Sequence, residues 1–312
     1  MRREDGRVIT GDGFLSRHER FRTVASTNDV ARDWLAGGTP EVCLAVADEQ
    51  TAGRGRSGRS WMSVPGRCLT LSLGFRPVYL APERYWRLPA IVALAMADAA
   101  EEAAGLPAGT LSLKWPNDIV AEAGDEVRKV AGVLAETGGA GTAGVAAVVG
   151  IGINTDWARA DFPEALAATM TSLREVARGR PVDNDVLLAG FLARLEPRAV
   201  ALRDGWFDVA GWHDRQVTTG RTIRVELPGG AEEEVRAVGV DGSSGALLVD
   251  GGSGERELLS GEVVRVRFGP ERPVGERPGP AMAAPATGPG RRSGRRTEGP
   301  RAPLAPRDGV TA

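Results

Sequence analysis

The sequence predicts an α+β fold, with a mixed sheet packed with helices joined to a small all-β unit and a tail that builds no core. Three observations carry this. Between Phe21 and about residue 215, short apolar runs of strand type alternate with segments of helical period. From Val217 to Phe268 the pattern changes to short alternating stretches parted by turns such as Pro228-Gly229-Gly230 and Asp241-Gly242, as in a small β-barrel. Residues 269–312 hold nine prolines and eight glycines in 44 residues, too little apolar side chain to offset the entropy of ordering. The expected division is an extension at 1–20, a main domain at 21–215, a barrel at 216–268 and a disordered tail at 269–312.

Composition narrows the function. The 312 residues are 42% hydrophobic with a net charge of -2, enough for a sizeable core and without the field that would draw a polyanion to the whole surface. Cys43 and Cys68 sit in apolar runs and His18 and His213 stand alone, so no disulfide framework or metal cluster is indicated. Met1 to Arg7 is charged with no apolar run behind it, so the expectation is no signal peptide, no membrane and a cytoplasmic site of action. Of 39 basic residues only Lys114 and Lys129 are lysine, which suggests a need at those positions for a compact ammonium rather than a planar guanidinium.

In chain order, Phe21 to Ala25 reads as a strand and Ser26-Thr27-Asn28-Asp29 as a helix start, with the helix closed near Gly37. Ser26 and Thr27 fit simple capping as well as a binding role. Val42 to Ala47 is a strand, and Leu69, Leu71, Leu73 and Phe75 alternate along another. The run Leu88 to Ala100 is an all-round buried helix ending at Gly105. Leu111 to Lys114 is a strand stopped by Pro116, and Lys129 to Glu136 returns as the partner of the segment around Ile119. In the strand Val145 to Asn154, Gly150 and Gly152 leave the surface bare, as where a ligand approaches. Helices are expected at Phe162 to Met170, Thr171 to Ala177 and Asp183 to Gly205, the last kinked at Pro197.

The stretch Gly53 to Arg59 packs three glycines and three arginines between two strands. Glycines let backbone amides approach a ligand, and Arg54, Arg56 and Arg59 pair with carboxylate or phosphate, so the loop reads as an anion clamp. It also matches G-x-G-x-x-G, but the Pro65-Gly66 turn that follows leaves no helix to face a pyrophosphate.

Four ordered motifs, Gly-Arg-Gly-Arg-Ser-Gly-Arg at 53–59 with Trp61, Lys-Trp-Pro-Asn-Asp at 114–118, Lys-Val-Ala-Gly-Val-Leu at 129–134 and Gly-Ile-Gly-Ile-Asn at 150–154, resemble the biotin protein ligases. The similarity runs from about Phe21 to Phe268. It implies a class II synthetase-like catalytic sheet with an SH3-like C-terminal barrel, and an enzyme that joins biotin to ATP with Mg²⁺ and passes the biotinyl group to a lysine of a carboxylase carrier domain. Carried over, it gives biotin contacts to Ser26, Thr27, Asn28, Gln50, the backbone of Arg54, Arg56, Lys129, Gly132 and Gly152. Arg59, Trp61, Lys114, Asn117 and Asn154 would hold the nucleotide, Asp118 the metal, and Lys129, Arg56 and Arg59 would serve catalysis. The winged helix of larger members has no counterpart in this pattern, so no DNA binding is expected, while a homodimer is allowed. A lipoate or octanoate ligase on the same fold is the alternative, and a regulator using the basic loop is a second.

Overall fold

The computed structural model describes residues 13–139, 144–252 and 254–267. Leu69, Leu71, Leu73 and Phe75 share one face of strand β3 (Cys68–Phe75) and lie in the main core, while Ser72 and Gly74 turn to the other face. The same division runs through β2 (Cys43–Gln50), where Leu44 and Val46 face the main core and Cys43 and Ala45 a smaller one. Two cores on one sheet require helices on both sides. Helices α2 (Arg87–Ala104) and α5 (Asn184–Arg203) cover the first face, and α1 (Thr27–Ala36) covers part of the second.

The sheet is completed by β1 (Arg17–Val24), β4 (Leu111–Lys114), β5 (Asp118–Ala123), β6 (Glu126–Gly139) and β7 (Val145–Asn154), in the order β1-β2-β3-β7-β6-β5-β4. Only β1 and β2 run parallel, so the sheet is mixed. Strand β1 begins four residues before the expected Phe21, with Arg17 opposite Cys43. An edge strand buries little, and the polar run Arg17-His18-Glu19-Arg20 hid it from a hydrophobic pattern.

Past β7, α3 (Glu164–Ala167) and α4 (Leu173–Val176) are single turns where two longer helices were expected. The reason is tertiary. The Lys129 N–H donates to the Thr169 carbonyl at 2.8 Å and the Thr171 N–H to the Lys129 carbonyl at 2.9 Å, so pairing with β6 draws the chain out of helix. Helix α5 starts on Asp183, whose carboxylate accepts from the N–H groups of Asp185 and Val186. It runs on through Pro197 to Arg203. Helix α6 (Val209–Asp214) leads to the second sheet.

That sheet consists of β8 (Thr222–Glu226), β9 (Glu232–Val240), β10 (Leu247–Asp250), β11 (Glu255–Leu258) and β12 (Glu262–Arg267), in the order β11-β10-β9-β8-β12. It is antiparallel throughout, and its edge strands β11 and β12 do not pair, so the ladder of the small barrel stays open. Both sheets belong to one compact unit. The tail expected at 269–312 and most of the extension at 1–20 lie outside the described residues.

Candidate active site

On the α1 side of the sheet, Ala146 and Val148 of β7 are covered by the helix, Gly150 meets Asn28 in its first turn, and Gly152 lies against the Trp61 indole. Opposite Gly152 across the ladder stands Gly132 of β6. These glycines floor a cavity of about 690 Å³. Its walls are the start of α1, the loop 54–61, the β4–β5 turn, the segment 166–170 and, from the second sheet, β12.

The basic loop is a small hairpin. Arg54 bridges to Ser60, the Gly55 N–H donates to the Arg59 carbonyl at 2.6 Å, and the Trp61 N–H to that of Gly53 at 2.9 Å. A single 3-10 turn spans Arg56–Gly58, and Arg59 is already extended. No helix opens at the third glycine, which rules out the dinucleotide arrangement. A side chain at Gly53 would come within 2.4 Å of the Trp61 carbonyl, so the hairpin closes only on glycine.

Lys129 reaches the cavity through a β-bulge. Ile119 pairs with Ala131 and Val120 with Lys129, leaving Val130 extra. Val130 and Ala131 both enter the main core, while Lys129 and Gly132 line the cavity. The Lys129 ammonium lies 2.6 Å from Asp118 Oδ1, and that of Lys114 lies 3.0 Å from Asp118 Oδ2. Burial by itself would raise the Asp118 pKa, but the charges of Lys114 and Lys129 outweigh it and hold the carboxyl below its usual range. Lys114 also donates to the Val263 carbonyl at 2.9 Å, tying the β4 end to β12.

At the far end, Thr27, Asn28 and Gln50 meet. Gln50 Oε1 accepts from the Thr27 N–H at 2.8 Å and lies 3.0 Å from the Thr27 hydroxyl. Ser26 stands at the helix N-cap and is buried, yet its side chain makes no capping bond, so capping does not account for it. Arg54 turns its guanidinium away to Asp29 and Glu136. The hydrogen bond from Arg54 keeps the Asp29 carboxyl below its usual range.

Trp61 lies over the glycine floor: a methyl group on Gly152 would come within 2.3 Å of its indole. Its Nε1 is buried without a partner. Arg59 forms a two-point ion pair with Glu262 of β12, at 2.6 and 2.5 Å, and Arg56 donates to the Gly261 carbonyl at 3.3 Å.

Of the residues singled out from sequence, only Asn154 is absent from the cavity lining. It is buried, and its amide donates to the Thr171 carbonyl at 3.1 Å, which pins the segment after Met170. Asn117 lines the cavity and is oriented by a 2.9 Å bond to the Val133 carbonyl. Asp118, the residue expected near the metal, has one oxygen 2.6 Å from the Lys129 ammonium and the other 3.0 Å from that of Lys114. A magnesium ion carried by a triphosphate needs few protein ligands, but Asp118 as placed is a lysine partner. Sequence reasoning missed Ser72, Glu136 and Glu262. No local pattern marks them, since each gains its role from a strand or helix remote in sequence.

Fold and cavity together define a protein of the acid-activating ligase class, and the model of the Biotin/lipoate A/B protein ligase family matches residues 21–154. The biotin--[acetyl-CoA-carboxylase] ligase of Mycobacterium tuberculosis is 32% identical over 78% of this chain and 88% of its own length. That of Paracoccus denitrificans is 35% identical over 73% of this chain and 92% of its own. The biotin protein ligase of Aquifex aeolicus, solved with biotin and ATP, superposes with a TM-score of 0.67 at 28% identity, covering 80% of this chain and 99% of that one. The chain belongs to the biotin protein ligase family.

Proposed function

We propose that this protein activates biotin with ATP and transfers the biotinyl group to a lysine on the carrier domain of an acetyl-CoA carboxylase. The observation that carries the reading is the polarity of the cavity. One end is neutral and hydrogen-bonding, with Ser26, Thr27 and Gln50; the other gathers Arg56, Arg59, Lys114 and Lys129; the floor between is bare glycine. A ring with polar edges at one end and an acid meeting a phosphate at the other fits this division.

The reaction joins two anions. A carboxylate oxygen attacks the α-phosphorus, the bond to the β-phosphate breaks, and pyrophosphate leaves with the electron pair. Cations placed where charge develops lower that barrier without a nucleophilic side chain. Lys129 is the group we assign to the attacking oxygen and the α-phosphate, with Arg56 and Arg59 on the surrounding oxygens. In the second step the carrier amine attacks the acyl carbon, AMP leaves, and the amine proton passes to solvent. The hairpin 54–61 shields the adenylate from water between the steps. Trp61 offers a stacking face for the base and Asn117 an acceptor for its edge.

Among the described residues no helix is long and apolar enough to cross a membrane. We read the chain as acting in the cytoplasm, without DNA. The test is incubation with radiolabelled biotin and ATP: a protein-bound biotinyl adenylate is expected. Formation of lipoyl or octanoyl adenylate in its place would establish the alternative.

A further inference from the structure

The basic hairpin is held differently at its tip and at its base. At the tip, Arg56 and Arg59 reach the second sheet through Gly261 and Glu262. At the base, Arg54 meets Asp29 of α1 at two points, Nη1 to Oδ2 at 2.9 Å and Nη2 to Oδ1 at 2.8 Å, and its Nη2 lies 3.2 Å from Glu136 Oε2 of β6. Arg32, one turn further along α1, closes the group by donating to Asp29 Oδ1 and to Glu136 Oε2, both at 2.7 Å. Two guanidiniums and two carboxylates thus alternate in a ring whose charges cancel. Asn28 Nδ2 donates to Glu136 at 2.7 Å, and Asn28 Oδ1 accepts from Ser72 of β3 at 2.5 Å, so the ring is also tied to the first turn of α1.

Of the four charged residues only Arg54 lines the cavity, beside Thr27 and Asn28. Its guanidinium is taken up by the two carboxylates, which removes it from the set of cations that can serve a bound anion. A lone ion pair this exposed would contribute little. A two-point fork inside a closed ring fixes geometry as well as energy, and because its members are partly exposed, salt screens it.

We propose that Asp29 and Glu136 are positioning residues which act through Arg54 to pin the base of the hairpin to α1 and β6, and so set how long an adenylate stays enclosed rather than how fast it forms. The inference rests on the reading of the cavity as the site of a biotinyl adenylate. Lys129, Arg56 and Arg59, the cations assigned to the chemistry, stand outside the ring, whereas loosening its members opens the wall beside Thr27 and Asn28.

The experiment loads the full chain with radiolabelled biotin and ATP, removes the excess, and follows release of labelled adenylate during a chase with unlabelled substrates. In Asp29→Asn release should quicken about tenfold, as for loss of a hydrogen bond to a charged group, and in Glu136→Gln several-fold. Single-turnover pyrophosphate release should stay within about twofold of wild type, since the ring makes no contact that grows in the transition state. Raising salt from about 0.05 to 0.5 M should speed release from the wild type more than from Asp29→Asn, which has already lost part of what salt screens. Adding Asp29→Asn to Arg54→Gln should change release little beyond Arg54→Gln alone, because both act on one contact. Melting temperatures identify a variant that has merely unfolded. A folded Asp29→Asn protein that retains adenylate like the wild type, or whose pyrophosphate release falls as far as its retention, overturns the proposal. A wild-type protein that forms no biotinyl adenylate overturns the reading of the cavity itself, a result distinct from unchanged retention.

Discussion

Lys129 and Gly132 share the cavity face of β6 although they are three residues apart, because the bulge between them sends Val130 and Ala131 together into the main core. A regular strand would bring residues two apart to one face. The bulge is held from both sides, by Asp118 on the ammonium and by Thr169 and Thr171 on the backbone. Lys129 is thus placed by the fold rather than by its own rotamer preferences.

The first prediction follows. Lys129→Arg keeps the charge but widens the head and fixes its donors in a plane, so one point can no longer serve both reacting oxygens. Adenylation should fall by roughly 10² to 10³, the range for loss of one preorganised donor. Biotin binding should change less, because the charge develops during reaction. Single-turnover pyrophosphate release beside biotin titration separates the two, and release at the normal rate would assign the chemistry to another cation.

Trp61 and Gly152 give the second. Gly152→Ala should push the indole off the floor, and Trp61→Ala should remove it. Stacking on a base contributes about 1 to 3 kcal/mol, so Trp61→Ala should weaken ATP roughly tenfold or more and biotin less. Gly152→Ala should weaken both ligands, since it disturbs floor and indole together. Titrations in which Trp61→Ala loses biotin affinity alone would make the indole a biotin wall.

Asp118 supplies a pH prediction. Its folded pKa is depressed, below the unfolded value of about 3.9. The stability it contributes is therefore complete above the unfolded pKa and is lost as pH falls through the folded one. Asp118→Asn leaves two lysines facing an amide and should cost about 3 to 5 kcal/mol at neutral pH, as for other broken buried pairs. Its melting temperature should also drop less than that of the wild type between about pH 5 and pH 3. Parallel acid limbs in the two proteins would remove Asp118 from the account.

Arg59 and Glu262 give the fourth. Their pair is substantially exposed on the arginine side, so its contribution to stability is small, yet it holds the hairpin to β12. Glu262→Gln should leave the melting temperature nearly unchanged while shifting the ATP KM several-fold and increasing release of free adenylate. Unchanged KM and adenylate retention would reduce the pair to a surface contact.

The sequence alone determined the class of fold, the basic loop and the bare glycines, because alternation, turn residues and glycine spacing act through neighbours along the chain. It marked both lysines through their rarity in an arginine-rich chain. The tertiary structure decided the rest. It recruited Arg17 to Arg20 into an edge strand, drew Thr169 to Thr171 out of helix by pairing with Lys129, and spent Asn154 on the Thr171 carbonyl. It also gave Asp118 to two lysines, brought Glu262 to the cavity and set Ser72 and Glu136 against Asn28. Apart from the Lys114 contact to Asp118, four positions away, each of these depends on partners from 11 to 203 positions away, and a hydrogen bond over that separation leaves no trace in local periodicity, since it exists only after the sheet has set which strands are neighbours.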